Sequence, residues 1–281
     1  MTEIYRDRQP HNLTGSMLGP LAPFFILWKY RFILWQTTYC DVRTSFAGSV
    51  LGIAWLALYP IFLLSAYALV YIVIFKVRFP ALGSAEYVAL IFCGLIPFLG
   101  FAEALSSSIP SLTSNSYLIK NSLFPIELIP VKAVLVSHSK QLVGTAVLVL
   151  AIGMMGKLNF SALMLFPIWL LQLMFMVGVA WILSAVNIYL RDIQSLSGLI
   201  ILFLMMISPI AYTPEMVPEN LRHALGLNPL YYIIIPWQDV LIHGTFPRGQ
   251  TLVVLAFMAW CLFLGGFWFF SRLRSGLVDN V

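Results

Sequence analysis

Side chains able to do acid–base, nucleophilic or metal chemistry are few in this sequence and widely dispersed. The four histidines, His11, His138, His223 and His243, are isolated, and the 11 acidic residues supply no evident catalytic carboxylate pair. No H-E-x-x-H helix or comparable metal-ligand spacing occurs. The segment nearest a phosphate-cradling loop, Gly153–Lys157, is followed by Leu158 and lies in an apolar stretch. A P-loop needs Ser or Thr there, so the chain has no such site for ATP. Three cysteines, Cys40, Cys93 and Cys261, lie far apart in or beside apolar stretches and are expected to be buried thiols. The reading is a chain that is not itself an enzyme and carries no metal or cofactor of its own.

The remaining polar chemistry is set among apolar residues. Glu103 sits beside Ser106, Ser107 and Ser108 within one apolar run, and Lys140 lies within another. An ionisable group inside a membrane span is costly and points to function, although Glu103 is near the end of its run, where it can reach water. A stripe of Gly48, Gly52, Trp55, Tyr59 and Phe62 recurs at spacings of four and three, one face of a helix. Gly48-x-x-x-Gly52 suits close helix approach. Two readings stay open: plain helix packing, or an aromatic face that lines a path for sugars. Tyr67, on the same predicted helix, is a further lining candidate. Arg191-Asp192 either cap a short turn or grip a partner protein. The polar stretch 110–132 is either a simple loop or a short helix that presents Leu118, Ile119, Leu123 and Phe124 to a soluble partner.

Composition places these residues in lipid. Of 281 residues, 60% are hydrophobic and 10% charged, against roughly 25% charged in a soluble domain; the mean hydropathy is +0.92. Spans of about 20 apolar residues are expected six times, at about 50–75, 87–109, 133–155, 163–190, 196–212 and 251–270. Residues 1–22 read as a loose polar leader with no cleavable signal. Residues 23–46 read as an amphipathic helix in the membrane interface, with Trp28 and Trp35 at headgroup level and Lys29, Arg31 and Arg43 toward anionic lipid. Residues 47–281 form the transmembrane domain. Residues 213–250, broken by Asn228-Pro229 and Pro236, read as short re-entrant helices, because broken backbone at membrane depth must be packed on protein or line a wet cavity. Basic residues gather on the side of the termini, as at Arg43, Lys120, Lys132, Arg191, Arg272 and Arg274, and place both termini in the cytoplasm; Lys76 and Arg78 count against this. The net charge of +5 is too scattered for a nucleic-acid surface.

Several motifs in order carry a resemblance. Ser49-Val50-Leu51-Gly52-Ile53-Ala54-Trp55 leads to Leu58 and Pro60; Phe124-Pro125 is followed by Glu127 and Pro130. Asn187, Arg191, Asp192 and Ile193 precede Pro209-Ile210 with Tyr212, and Leu227-Asn228-Pro229-Leu230 follows. The set resembles the type-2 ABC transporter permeases that export lipid-linked polysaccharide such as capsule, O-antigen and wall teichoic acid. The resemblance implies an all-α channel subunit of the bacterial inner membrane, paired with a second copy of itself. Two copies of a separate ATPase would hold ATP and Mg beneath it. It implies coupling to that ATPase through Leu118, Lys120, Asn121, Phe124, Pro125, Glu127, Arg191 and Asp192. It also implies a re-entrant region around Asn228, Pro229 and Tyr231, and a lateral entrance for the lipid anchor beside the interfacial helix. It leaves open an envelope-spanning partner that receives the polymer. The alternatives are an exporter of the same fold for another lipid or a drug-like cargo, a small-solute importer, and an integral membrane transferase.

Overall fold

A computed structural model describes residues 21–70, 83–121, 124–214 and 217–280. The leader to residue 20, the Lys76/Arg78 loop and the end of the first expected span lie outside the described residues. The fold is all-helical, with no strand among the described residues. The helices are α1 Ala22–Lys29, α2 Arg31–Thr44, α3 Trp55–Ala68, α4 Ser84–Ser108, α5 Ser111–Ser114, α6 Ser116–Asn121, α7 Leu128–Met154, α8 Leu165–Tyr189, α9 Asp192–Ile207, α10 Glu219–Leu225, α11 Pro229–Gln238 and α12 Gly249–Asn280.

Among the described residues four helical stretches are long and apolar enough to cross a membrane: Ser84–Ser108, Leu128–Met154, Phe160–Tyr189 and Gly249–Arg274, at mean hydropathies of 2.2, 1.5, 2.1 and 2.2. The 25 residues of α4 extend about 37 Å at about 1.5 Å per residue, more than the roughly 30 Å hydrocarbon core. Such a chain is a multi-pass membrane protein. Within the described residues the other two expected spans hold α3, of 14 residues, and α9, of 16.

Contacts sort the bundle into two ends. At one, here the proximal end, Asp41 pairs with Lys132 at 2.8 Å and Glu127 with Arg274 at 2.9 Å. At the other, the distal end, Glu86 pairs with Lys157. There the Tyr87 hydroxyl donates to the Ala211 carbonyl (3.0 Å) and Ser161 to Val240 (3.0 Å). Helices α4, α7, α8 and α12 form the centre, with α11 inserted beside them; its Leu230, Ile233, Ile234 and Trp237 are fully buried. The tightest seam runs between α8 and α12. A Cβ on Gly178 would sit 2.3 Å from the Leu262 carbonyl, and one on Gly266 2.3 Å from the Gly178 carbonyl. Small residues let backbones meet where dispersion, not water, drives association.

The structure corrects several expectations. Gly48 and Gly52 have φ of +83° and +50°, a left-handed backbone that no α-helix contains, and nothing lies within 4 Å of a Cβ on either. The glycines therefore form a joint before α3, not a helix-packing face. The predicted interfacial helix is two helices, bent at Tyr30. Its buried side packs inward, with the Phe24 ring 4.8 Å from that of Phe263. Phe25, Trp28, Phe32, Trp35 and Tyr39 face outward, and Arg31 lies 4.6 Å from the Trp28 ring and 4.5 Å from that of Phe32. Helix α7 begins five residues earlier than expected and takes Pro130 into its first turn, where a missing N–H costs nothing. Helix α9 starts at Asp192 and stops at Ile207, just before Pro209, and α12 runs ten residues past the expected end. Of the cysteines only Cys93 is buried; Cys40 and Cys261 are exposed because each lies on an outward helix face.

The α8–α12 seam gives a direct test. Gly178→Ala is expected to destabilise the purified protein by about 1–3 kcal/mol through overpacking, although Ala is the better helix former. Gly265→Ala is the control, because its Cβ meets nothing within 4 Å. Thermal unfolding in detergent that shows equal midpoints for the two variants would refute the seam.

Candidate functional site

The outward aromatic face begins where the glycine joint ends. Trp55, at the start of α3, is 37% exposed and Tyr59 and Phe62 are each 61% exposed. The Trp55 indole N–H donates to the Ser49 hydroxyl at 3.0 Å, which fixes the first ring against the joint. Tyr67 departs from this face. It is half-buried and meets Phe92 of α4 edge-on, ring centres 5.6 Å apart, because 12 residues of helix turn it about 120° from Trp55. Helix α3 buries no residue and α9 buries only Ser197. Leu199, Leu202, Phe203 and Met206 of α9 are bare. Beside them, Phe101, Leu105, Phe175, Val179, Ile200 and Pro229 line an apolar cleft of about 320 Å³.

Polar groups tie the centre together at successive depths. Lys140 of α7 pairs with Glu103 of α4, both side chains being part-exposed. Neighbouring hydroxyls Ser107 and Ser137 share a hydrogen bond of 3.2 Å. Deeper, Gln141 donates to Gln172 (3.0 Å), whose amide in turn donates to the Pro97 carbonyl (2.9 Å). Three helices thus meet at Pro97 of α4, joined through its carbonyl and the two glutamines. His138 is fully buried on α7, its Nδ1 3.1 Å from the Val134 carbonyl. Among the described residues no group of three metal-ligating side chains occurs.

The proximal end holds the residues singled out for partner contact. Helices α5 and α6 lead down from α4, followed by a return through Phe124 and Pro125, both half-buried. The side chains of Leu118, Lys120 and Asn121 lie outside the described residues. Glu127 is only 3% exposed. Its carboxylate meets Arg274 at 2.9 Å, and its carbonyl accepts the Trp181 indole N–H at 2.9 Å. Its side chain is therefore engaged inside the chain, not offered at the surface. Arg191 and Asp192 are exposed at the turn between α8 and α9. The sequence reading took Arg274 as a topology signal only, and it passed over Asp41, Gln141 and Gln172. The two glutamines were visible as polar residues in apolar runs. The partner of a distant carboxylate was not, since nothing in spacing joins residue 127 to 274.

Inside the bundle Asn228 caps α11: its carboxamide oxygen accepts the Leu230 N–H at 3.0 Å, and its amide donates to the Ser208 hydroxyl at 3.0 Å. Pro229 occupies the first helical position, where a fixed φ is favourable. Tyr231 stands edge-on to Tyr232, ring centres 5.3 Å apart. Gln238 donates to the Pro209 carbonyl at 2.8 Å, so α11 is tied to the turn after α9.

No family model matches the chain. Similarity to individual proteins is extensive. The chain is 26% identical over 236 residues to a Klebsiella pneumoniae protein named O-antigen export system permease protein RfbA, covering 83% of this chain and 89% of that one. A Myxococcus xanthus protein of the same name is 23% identical over 259 residues, 91% of this chain and 97% of the relative. The Escherichia coli polysialic acid transport protein KpsM is 26% identical over 235 residues, 80% and 87% of the two chains.

The glutamine pair at the α4 proline is measurable. Gln141→Leu and Gln172→Leu, singly and together, are expected to show a coupling of about 0.6–2 kcal/mol in a double-mutant cycle of unfolding in detergent micelles. Strict additivity would mean that the pair does not hold the helices.

Proposed function

We infer that this chain is a permease of the polysaccharide-export family and forms the membrane path of an exporter for O-antigen- or capsule-type polysaccharide. The observation that carries the reading is the similarity to both O-antigen and polysialic acid transport proteins over at least 80% of the chain. A match of that extent leaves little of the chain for an unrelated activity. The helices with their apolar faces suit a path through lipid.

The finer assignment goes further. Two copies of the chain pair through the bare faces of α3 and α9, and α3 and α9 complete the span count at six. Two copies of a separate ATPase, which hold ATP and Mg, bind at the proximal end, which faces the cytoplasm together with both termini of the chain. The membrane is the bacterial inner membrane. Exposed Arg191 and Asp192, and the corner formed by α6, Phe124 and Pro125, meet that ATPase. The α10–α11 segment re-enters the membrane from the distal side. Trp55, Tyr59 and Phe62 line the polymer's path: apolar faces of pyranose rings pack on aromatic rings while the sugar hydroxyls keep adaptable partners. Tyr67 packs on α4 and supports the face from behind. The lipid-linked end of the polymer enters beside α1 and α2, whose outward aromatic side and Arg31 suit the headgroup layer.

Deleting the gene alone is expected to trap full-length, lipid-linked polymer in the cytoplasm, measured by fractionation and surface labelling. Normal surface polymer in a strain with no second exporter would refute the cargo. Trp55→Leu with Tyr59→Leu is expected to slow export about tenfold, a loss of about 1.4 kcal/mol at the rate-limiting step, while the ATPase still co-purifies. Unchanged export would make the aromatic face a packing surface.

A further inference from the structure

The two elements assigned above to the ATPase side are far apart in sequence, yet one short stretch of α12 touches the root of both. Arg274 reaches Glu127, the residue at which the return from α6 becomes α7. Two residues further on, the Tyr189 hydroxyl lies against Gly276, so close that a Cβ there would be 2.9 Å from it. Tyr189 ends α8, two residues before Arg191-Asp192. A third contact closes the triangle: Trp181 of α8 donates to the Glu127 carbonyl at 2.9 Å and packs on Phe263 and Phe267 of α12, ring centres 5.2 and 5.3 Å away. Glu127 stands at the N-terminus of α7 but makes no cap to it; its carboxylate is turned to α12 instead. The nearby arginine does something else, since Arg272 lies 5.8 Å from the Trp268 ring on the same helix.

An ion pair placed this way differs from a surface bridge. Glu127 is 3% exposed, so losing its partner would strand a charge out of water. The pair holds its geometry because the Trp181 bond fixes the backbone of the same residue. A second bridge, Asp41 to Lys132 at 2.8 Å, joins α2 to the first turns of α7.

We propose that Arg274 is a positioning residue for energy coupling. The end of α12 clamps the 124–127 segment and the 189–192 turn into one rigid block with α6, whose Ile119 packs on the same core, so that the ATPase, by moving either element, moves both. The displacement then passes along α7, α8 and α12 together, and through Asp41–Lys132 to the interfacial helix. This rests on the reading that both elements face an ATPase.

The test uses the full permease with its ATPase in lipid nanodiscs, in a background with the exposed Cys40 and Cys261 replaced. Spin labels at Tyr117→Cys and Ser195→Cys, both exposed, report the distance between the two elements with and without ATP. The unaltered pair is expected to give one narrow distance that ATP does not change. Arg274→Gln alone strands Glu127, so the deciding variant is Glu127→Gln with Arg274→Gln, which removes both charges. In it the distance distribution is expected to broaden, and ATP hydrolysed per polymer exported to rise about tenfold, an ordinary size for a coupling effect. Arg274→Lys, which keeps the charge, is expected to restore most of the coupling. A double variant that inserts, binds the ATPase and keeps both the narrow distance and wild-type coupling overturns the proposal, since a pair needed only for folding would behave so. Loss of ATPase co-purification on Arg191→Glu with Asp192→Lys tests the docking reading separately. If docking survives there, that reading fails for the turn while the label distance still decides whether the block is rigid.

Discussion

Inside a bilayer an apolar side chain gains little by exchanging lipid for protein, so a helical bundle holds only where backbones approach closely or polar groups find each other. Both devices are used here, in different places. Gly178 and Gly266 bring α8 and α12 into backbone contact, and this seam fixes the position of α12 against the rest. Gln141 and Gln172 then bind α7 and α8 to α4 at the carbonyl of Pro97. Three charged pairs sit nearer the bundle's ends, Glu127–Arg274 and Asp41–Lys132 at one and Glu86–Lys157 at the other, while Glu103–Lys140 lies further in with both side chains part-exposed. That grading follows the cost of charge with depth. Helices that have neither device, α3 and α9, remain at the periphery with their apolar faces bare.

This division also separates the two jobs of the proposed exporter. A path for polymer needs surfaces that are incomplete in one copy, and the aromatic side of α3 and the bare side of α9 are such surfaces. Transmission of force needs a body that does not flex, and the α4, α7, α8 and α12 core is bonded at every depth.

The class of protein was legible in the sequence because 20-residue apolar runs have one common solution in lipid. Long runs gave α4, α7, α8 and α12 to within a few residues at most ends. The failures have physical causes. Pattern alone placed Gly48 and Gly52 on a helix, because spacings of three and four look the same whether or not φ is negative; the positive φ at both is invisible in the residue names. Tyr67 shares a helix with Trp55 but not a face. Glu127 was read as surface because its neighbours Phe124, Pro125 and Pro130 suggest a loop, whereas its burial depends on Arg274, nearly 150 positions away. Long-range pairing of single charges leaves no periodic trace. The ordered motifs carried the family where individual residues did not, since their order is a property of the whole chain.

The joint at Gly48 and Gly52 has a consequence for which neighbours matter to α2. By chain order the next helix after it is α3, but the two glycines between them have open space about them. Its firm attachment is to α7, through Lys132, some ninety residues downstream. Sequence adjacency and mechanical adjacency thus differ here. A displacement of α2 is passed first to α7.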